Sequence, residues 1–309
     1  MTAGTRNQGR EHQSLAVLIL TLDEESNIEK CLRSVLPLTN RIFIVDSGST
    51  DRTVEIAEKM GARVLTHPWA THAEQFNWGL DNIDTDSDWL MRLDADEELT
   101  PGLVAALRET LPTLAPDVTG IIVRRQVHFM GRWIRHGGYY PTWLLRVFRR
   151  DAGHCEALWM DEHIALSHGR AIRLDQDIID RNNKNLTFWT AKHNSYATRE
   201  VLDVLAREEA AVVPERDEAL PDLQTRSRRW IKNRVYGRLP LFVRPLLYFL
   251  YRYVLRLGFL DGREGLIFHV LQGFWYRFLV DAKLYESRKA ERASRLKEPK
   301  PAGREEVRR

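Results

Sequence analysis

Leu90-Met91-Arg92-Leu93-Asp94-Ala95-Asp96-Glu97-Glu98 decides how the rest of this chain reads. Its apolar half, with Trp89 ahead of it, has the make-up of a buried strand interrupted by Arg92. Its acidic half falls where that strand ends, and open α/β sheets bind ligands outside the carboxyl ends of their strands. On a continuing strand Asp94 and Asp96 share a face. Two carboxylates so placed repel each other unless a cation lies between them. Mg2+ is held in this way, by one or two carboxylates together with substrate phosphates. The competing explanation is an acidic turn at the N-terminus of a helix that starts near Thr100-Pro101.

Upstream, the pattern repeats. Leu15 to Leu20 is a continuous apolar run suited to a strand buried on both faces. The polar loop Thr21-Leu22-Asp23-Glu24-Glu25-Ser26-Asn27 follows, and Ser26 or Asn27 can cap a helix that Pro37 ends. Arg41 to Val45 is a second strand, running into Asp46-Ser47-Gly48-Ser49-Thr50-Asp51. A helix over Thr53–Met60 is stopped by Gly61. A short strand at Ala62–Leu65 and a helix over Ala73–Ile83 then lead to the strand at Trp89. Such alternation predicts a parallel sheet with right-handed crossovers. It brings Thr21/Asp23/Glu24, Asp46/Ser47/Ser49/Asp51 and Asp94/Asp96 to one sheet edge. The chain has neither G-x-G-x-x-G nor G-x-x-x-x-G-K-[ST], so a glycine-rich phosphate cradle is excluded. A metal on Asp94 and Asp96 takes its place.

The whole sequence sets the bounds. Its 309 residues, 43% apolar and 29% charged, describe a globular protein of one large or two ordinary domains. The net charge of +3 is unevenly spread, with an excess of Lys and Arg from Arg226 onward. Two cysteines, Cys31 and Cys155, support neither a disulfide framework nor a metal-ligand spacing, and point to a reducing compartment. No export signal is read at the N-terminus.

Three features carry a resemblance: the first strand with Thr21-Leu22-Asp23-Glu24, the run Val45-Asp46-Ser47-Gly48-Ser49-Thr50-Asp51, and the D-x-D triplet Asp94-Ala95-Asp96. Together, over about residues 15–165, they resemble the inverting family 2 glycosyltransferases, which have a GT-A fold. Within that family the chain looks most like bacterial lipopolysaccharide-core and exopolysaccharide transferases of the WaaE type. The resemblance implies a nucleotide-sugar donor, expected to be UDP-linked, bound by Thr21, Asp23, Glu24, Asp46, Ser47, Ser49, Asp51, Asn77, Asp94 and Ala95. Mg2+ or Mn2+ would sit on Asp96 and Asp94. It also implies a carboxylate base in the pair Asp161-Glu162, with Glu162 preferred, and His163 is a third candidate as a neutral imidazole. Two positions depart from the family's pattern. Asp23 replaces the usual Asn, and Phe76 stands where relatives often carry a cation before Asn77. Arg52 and Arg92 are the candidates to replace that cation.

The aromatic, glycine-rich run Met130–Pro141 offers Trp133, Tyr139 and Tyr140 to an acceptor sugar. Asn182, Asn183, Lys184 and Trp189 are further acceptor-side candidates. The expected organisation is a flexible N-terminus (1–14), a catalytic GT-A α/β domain with a mostly parallel sheet (15–210) and a linker (211–224). A basic, aromatic helical region that associates with the membrane (225–287) and a charged disordered tail (288–309) follow. The apolar runs of 239–280 are broken by Arg244, Pro245, Arg252 and Arg277, which suits interfacial or re-entrant helices, or a helical subdomain packed on the enzyme or on a partner chain, better than a span of ~20 apolar residues. The stretch Leu257-Gly258-Phe259-Leu260-Asp261-Gly262, followed by Gly265, also resembles the tails of WaaE-type proteins, which implies a lipid-linked or lipopolysaccharide-core glycan as acceptor. The expected partner surface is an anionic membrane rather than nucleic acid, and the place the cytoplasmic face of the inner membrane. The rival readings are a sugar nucleotidyltransferase and a catalytically impaired scaffold of the same fold.

Overall fold

The computed structural model describes residues 14–156, 163–209 and 239–297. Strand β1 (Leu15–Thr21) lies between β2 (Ile42–Asp46) and β4 (Trp89–Asp94), parallel to both, and β3 (Arg63–Thr66) extends the sheet beyond β2 in the same sense. Helices α1 (Ile28–Val35), α2 (Thr53–Lys59) and α3 (His72–Asn82) connect these strands. Side chains alternate between two apolar layers, as a strand buried on both faces requires. Val17, Ile19, Ile44, Met91 and Leu93 pack with Ile28 and Leu32 of α1 and with Leu103 and Leu107 of α4 (Pro101–Thr110). Leu18, Phe43, Val45 and Leu90 pack with Ala73 and Phe76 of α3. Each such Val, Leu, Ile, Met or Phe side chain contributes about 1.5–3 kcal/mol when fully buried. Gly79 lets α3 approach closely, since a Cβ there would lie 2.8 Å from Val45 Cγ2.

The helix boundaries follow local chemistry. Gly61, at φ +86°, ends α2. The hydroxyls of Thr71 and Thr100 cap α3 and α4 by accepting the N–H groups of Glu74 and Leu103. A threonine, not the acidic turn, therefore caps α4.

Beyond β4 the sheet becomes mixed. Antiparallel β8 (Thr142–Arg149) pairs with β4, β6 (Val118–Phe129) runs antiparallel to β8, and β11 (Arg170–Arg181) is parallel to β6. Short β5 (Glu97–Leu99) ends the order 3-2-1-4-8-6-11-5, with β7 (Arg132–Trp133) on β6. A separate two-stranded piece joins β9 (Gly153–Cys155) to β10 (Ile164–Leu166).

The helical part consists of α5 (Leu186–Glu209), α6 (Val243–Leu250), α7 (Gly262–Phe268) and α8 (Tyr276–Lys297), with wide π turns at Tyr251–Leu255 and His269–Trp275. Ala197 and Val201 of α5 pack against Tyr276, Val280 and Leu284 of α8. Asp281 of α8 accepts Arg244 Nε at 2.7 Å and Phe242 N at 2.8 Å, which closes α6 onto α8. The unit docks on the Met130–Pro141 loop. Asp261 accepts His136 N at 2.9 Å, Arg252 Nε donates to Gly137 O at 2.7 Å, and Gly137 N donates to Arg256 O at 2.9 Å. A Cβ on Gly137 would lie 2.1 Å from the His269 ring, so only glycine fits there. Among the described residues no helix is long and apolar enough to cross a membrane. Residues 298–309 lie outside the described residues, but helix α8 runs to Lys297, so residues 288–297 are helical where a disordered tail is expected. That stretch is rich in Glu, Lys, Arg and Ala, all good helix formers. The linker at 211–224 and the basic run from Arg226 to Arg238 lie outside the described residues.

Candidate active site

Register brings the expected residues to one edge. Thr21 pairs with Asp46 across β1 and β2, and Leu20 with Asp94 across β1 and β4. The loops after β1 and β2 are then laced together through carboxylates. Asp46 accepts Thr21 Oγ1 at 2.7 Å, Gly48 N at 2.9 Å, and both the N–H and hydroxyl of Ser49. Asp23 sits at φ +53°, accepts Thr50 N at 2.7 Å, and donates its own N–H to Ser49 Oγ at 2.9 Å. Asp51 accepts Glu25 N at 3.0 Å, and Glu25 accepts Arg52 N at 3.1 Å. Ser47 Oγ accepts Gln75 Nε2 from α3 at 2.9 Å. Charged acceptors on backbone N–H groups make the stronger class of hydrogen bond, so this pair of loops is well fixed.

Asp94 closes β4, and the chain bends at Ala95-Asp96 before β5 begins at Glu97. The two aspartates therefore flank a bend rather than sharing one strand face. Arg146 of β8, 5% exposed, joins Asp94 at 3.1 Å and also grips buried Glu97. Glu97 in turn accepts Asp94 N at 3.0 Å. Burial pushes the Glu97 carboxyl up, helped by Asp94 and Asp180 and opposed by Arg146. Burial also works against Asp94, but Arg146, Arg92 and His72 outweigh it and hold its carboxyl well below the usual carboxylate range. Asp94 remains ionised with 39% of its side chain exposed.

The third wall comes from the end of β11 and from α5. Asn182 Nδ2 donates to Asp96 Oδ2 at 2.9 Å, and Arg181 N donates to Asp96 O at 2.8 Å. Asn183 donates to Asn27 Oδ1 at 2.9 Å, and Lys184 reaches Glu24 at 2.7 Å. Burial raises the Glu24 carboxyl despite Lys184 and Asn27. Farther along α5, burial disfavours the Lys192 ammonium, but Tyr196, Asp96 and Glu24 overcome this and hold its pKa above the usual lysine range. Burial, with Asp96 and Asp94, raises Asp180 against the pull of Arg125. Burial and the charges of Arg92, Lys192 and Arg199 lower His72 to about 4 against the pull of Asp94, so it is neutral near pH 7.

Several expected donor contacts have other partners. Asp46 is 2% exposed and spends its oxygens on the loops, so it organises them rather than facing the cleft. Asn77 donates to Cys155 O and accepts Cys155 N, both at 2.9 Å, and so anchors β9. The Ala95 side chain, 5% exposed, belongs to the core. Tyr139 is turned into the seam with the helical unit, where Arg252 lies 3.7 Å over its ring and Phe268 4.7 Å away. Burial pushes the Tyr139 hydroxyl up to about 12. Trp133 and Tyr140 instead meet edge to face at 4.9 Å, and Tyr140 donates to Asp177 at 3.0 Å. Asp161 and Glu162 lie outside the described residues, while His163 O accepts Glu156 N at 3.0 Å where the chain returns to β10.

Carboxylate oxygens are the donors that a hard divalent cation takes. Among the described residues no group of three or more His, Cys, Asp or Glu converges on one point. Asp94 and Asp96 thus do not make a closed protein cage. Their oxygens are of the chemical type that Mg2+ or Mn2+ takes when water and phosphate supply its other ligands.

The Glycosyl transferase family 2 model matches residues 16–173, and the chain belongs to that family. Its sheet and C-terminal helices form a GT-A-like α/β fold. An uncharacterized glycosyltransferase of Rickettsia bellii is 36% identical over 91 residues, 29% of this chain and 30% of the relative. The 4,4'-diaponeurosporenoate glycosyltransferase of Staphylococcus haemolyticus is 33% identical over 101 residues, 30% of this chain and 27% of the relative. The chain therefore spans about a third or less of the length of these curated relatives. Among solved structures, glucosyl-3-phosphoglycerate synthase from Mycobacterium tuberculosis, in complex with Mn2+, UDP and glucosyl-3-phosphoglycerate, is 16% identical with a TM-score of 0.41. That match covers 66% of this chain and 82% of the synthase.

Proposed function

We propose that this chain is an inverting glycosyltransferase. It moves a sugar from a UDP-linked donor to a hydroxyl of a lipid-linked or lipopolysaccharide-core glycan, in the manner of the WaaE-type enzymes. One observation carries the reading: the Asp94–Asp96 bend opens beside the laced loops of Asp23 and Asp46, at the carboxyl edge of a parallel sheet. The laced loops shape the nucleotide side. Asp94, kept ionised by Arg146 and Arg92, and Asp96, steadied by Asn182, face the phosphates. A bound Mg2+ or Mn2+ would supply charge stabilisation for the leaving diphosphate. The base is Glu162, with Asp161 next to it in the sequence. It takes the acceptor proton during attack. Direct displacement needs no enzyme nucleophile, so the anomeric centre inverts.

The helical unit supports a membrane location on the cytoplasmic face of the inner membrane. Leu246, Leu247, Leu250 and Val254 recur at helical spacing on an exposed face, and Leu255 is 72% exposed. Exposed apolar faces of this kind bind the interface of bilayers. A relative named for succinoglycan biosynthesis in Rhizobium meliloti agrees with a glycan product.

Calorimetric titration of UDP with and without Mn2+ tests the donor site in wild type and Asp96→Ala. Binding that needs both metal and Asp96 supports the reading. A well-folded wild type that binds no nucleotide diphosphate sinks it in favour of a scaffold. Flotation with anionic vesicles tests the membrane side, where Leu250→Glu with Val254→Glu is expected to abolish association.

A further inference from the structure

A donor diphosphate calls for cationic charge, yet the two arginines that the sequence offers are turned to other uses. Arg92 is 8% exposed, stacks 5.4 Å over Phe76, and lies 3.6 Å from Asp94. Arg52 precedes α2 and pairs with Glu55 at 3.3 Å.

Helix α5 presents a different set. Lys192, Tyr196 and Arg199 are spaced i, i+4 and i+7, which places them on one side of the helix. Lys192 Nζ lies 5.7 Å from the centre of the Tyr196 ring, and the Arg199 guanidinium lies 5.9 Å from the same ring. Arg199 also lies 5.9 Å over Trp69, whose ring meets His72 at 4.7 Å. These contacts run from α5 to the start of α3. The start of α5 is held at the acidic edge by the Asn182–Asp96, Asn183–Asn27 and Lys184–Glu24 contacts. Helix α8 covers Ala197 and Val201, so α5 is fixed from behind. Electrostatically, Asp96 and Glu24 act on Lys192, while Lys192 and Arg199 both act on His72.

We propose that Lys192 and Arg199 form a cationic wall that receives the diphosphate of the nucleotide donor, in place of the cation absent at Phe76. The wall rests on the donor-binding reading above and names the side chains that complete it. In the transfer, the acceptor oxygen bonds to the anomeric carbon as the bond to the β-phosphate oxygen breaks. The electron pair stays on the diphosphate, and the acceptor proton passes to the carboxylate base. Cations fixed before the reaction stabilise that developing charge without reorganisation. A lysine that served only to neutralise Asp96, Glu24 and Asp180 would not distinguish a diphosphate from a nucleoside.

Titration of UDP, UMP and uridine into the full chain, in EDTA and in Mn2+, reads this difference. Lys192→Gln is expected to weaken UDP by about 10- to 100-fold and to leave uridine unchanged. Lys192→Arg should recover most of the loss. Arg199→Gln is expected to lower the preference for UDP over UMP severalfold, and it carries the test should Lys192→Gln fail to fold. UDP affinity within twofold of wild type in both glutamine variants overturns the wall, as does an equal loss for uridine. A wild type that binds none of the three overturns the donor reading itself, a result distinct from either.

Discussion

Arg146 and Arg244 are both buried arginines held by carboxylates, one at the sheet edge and one in the helical unit, and their acids face different surroundings. Arg244 meets Asp281, whose side chain is 1% exposed and fully enclosed between α6 and α8. Arg146 holds enclosed Glu97 on one side and Asp94, 39% exposed, on the other. The same pairing fastens helices in one place and leaves an ionised carboxylate exposed at the end of a strand in the other. A buried ion pair is thus informative through the exposure of its partners more than through its existence.

Breaking each pair separates the two roles. Arg146→Met and Arg244→Met each leave a buried acid uncompensated and should cost about 3–5 kcal/mol in urea unfolding. Only Arg146→Met should also weaken Mn2+-dependent UDP binding. Equal weakening in Arg244→Met would erase the distinction.

Acid probes the same contrast at smaller scale. His269 is wholly buried against Tyr139 and Tyr253, and burial with Arg252 lowers it to about 4 from the usual 6.5, against the pull of Asp261. His193, stacked 3.5 Å from Trp189, is lowered to about 4 by burial and Lys192. Between these values the unfolded chain binds protons that the folded chain refuses. Stability should therefore fall as pH drops from 6.5 towards 4, by at most ~1.4 kcal/mol per pH unit for each histidine. His269→Leu should flatten part of that slope, and a slope unchanged by the substitution would remove His269 from the account. The smallest expected effect lies at the helix starts. Thr71→Ala and Thr100→Ala each remove a cap worth about 1 kcal/mol, measurable by thermal unfolding, with additive losses because the two helices are separate.

The stretch from Leu15 to Asp94 was legible because its strands are apolar runs and its loops carry acids at the strand ends. β11 was not, because Arg170–Arg181 mixes charge with apolar residues and shows no run to mark a strand. With β11 hidden, the pairing that carries Asn182 to Asp96 and positions α5 had no visible basis. Arg146 and Glu97 were missed for a related reason: their meeting depends on β8 pairing with β4 far away in sequence. Lys192 and Arg199 did leave a trace, the i, i+4, i+7 spacing with Tyr196, which a helical-face count would have picked out. Asn77 and Tyr139 had the right residue types, but their partners, Cys155 and the C-terminal helices, are set by tertiary packing alone.

The laced loops after β1 and β2 bear on how such a site is transplanted. Asp23 holds Thr50 and Ser49, while Asp51 holds Glu25 and Glu25 in turn holds Arg52, so neither loop keeps its shape without the other. A graft intended to change nucleotide preference must exchange both segments as one module. Swapping either alone would join two halves of a fastening that were cut to different patterns.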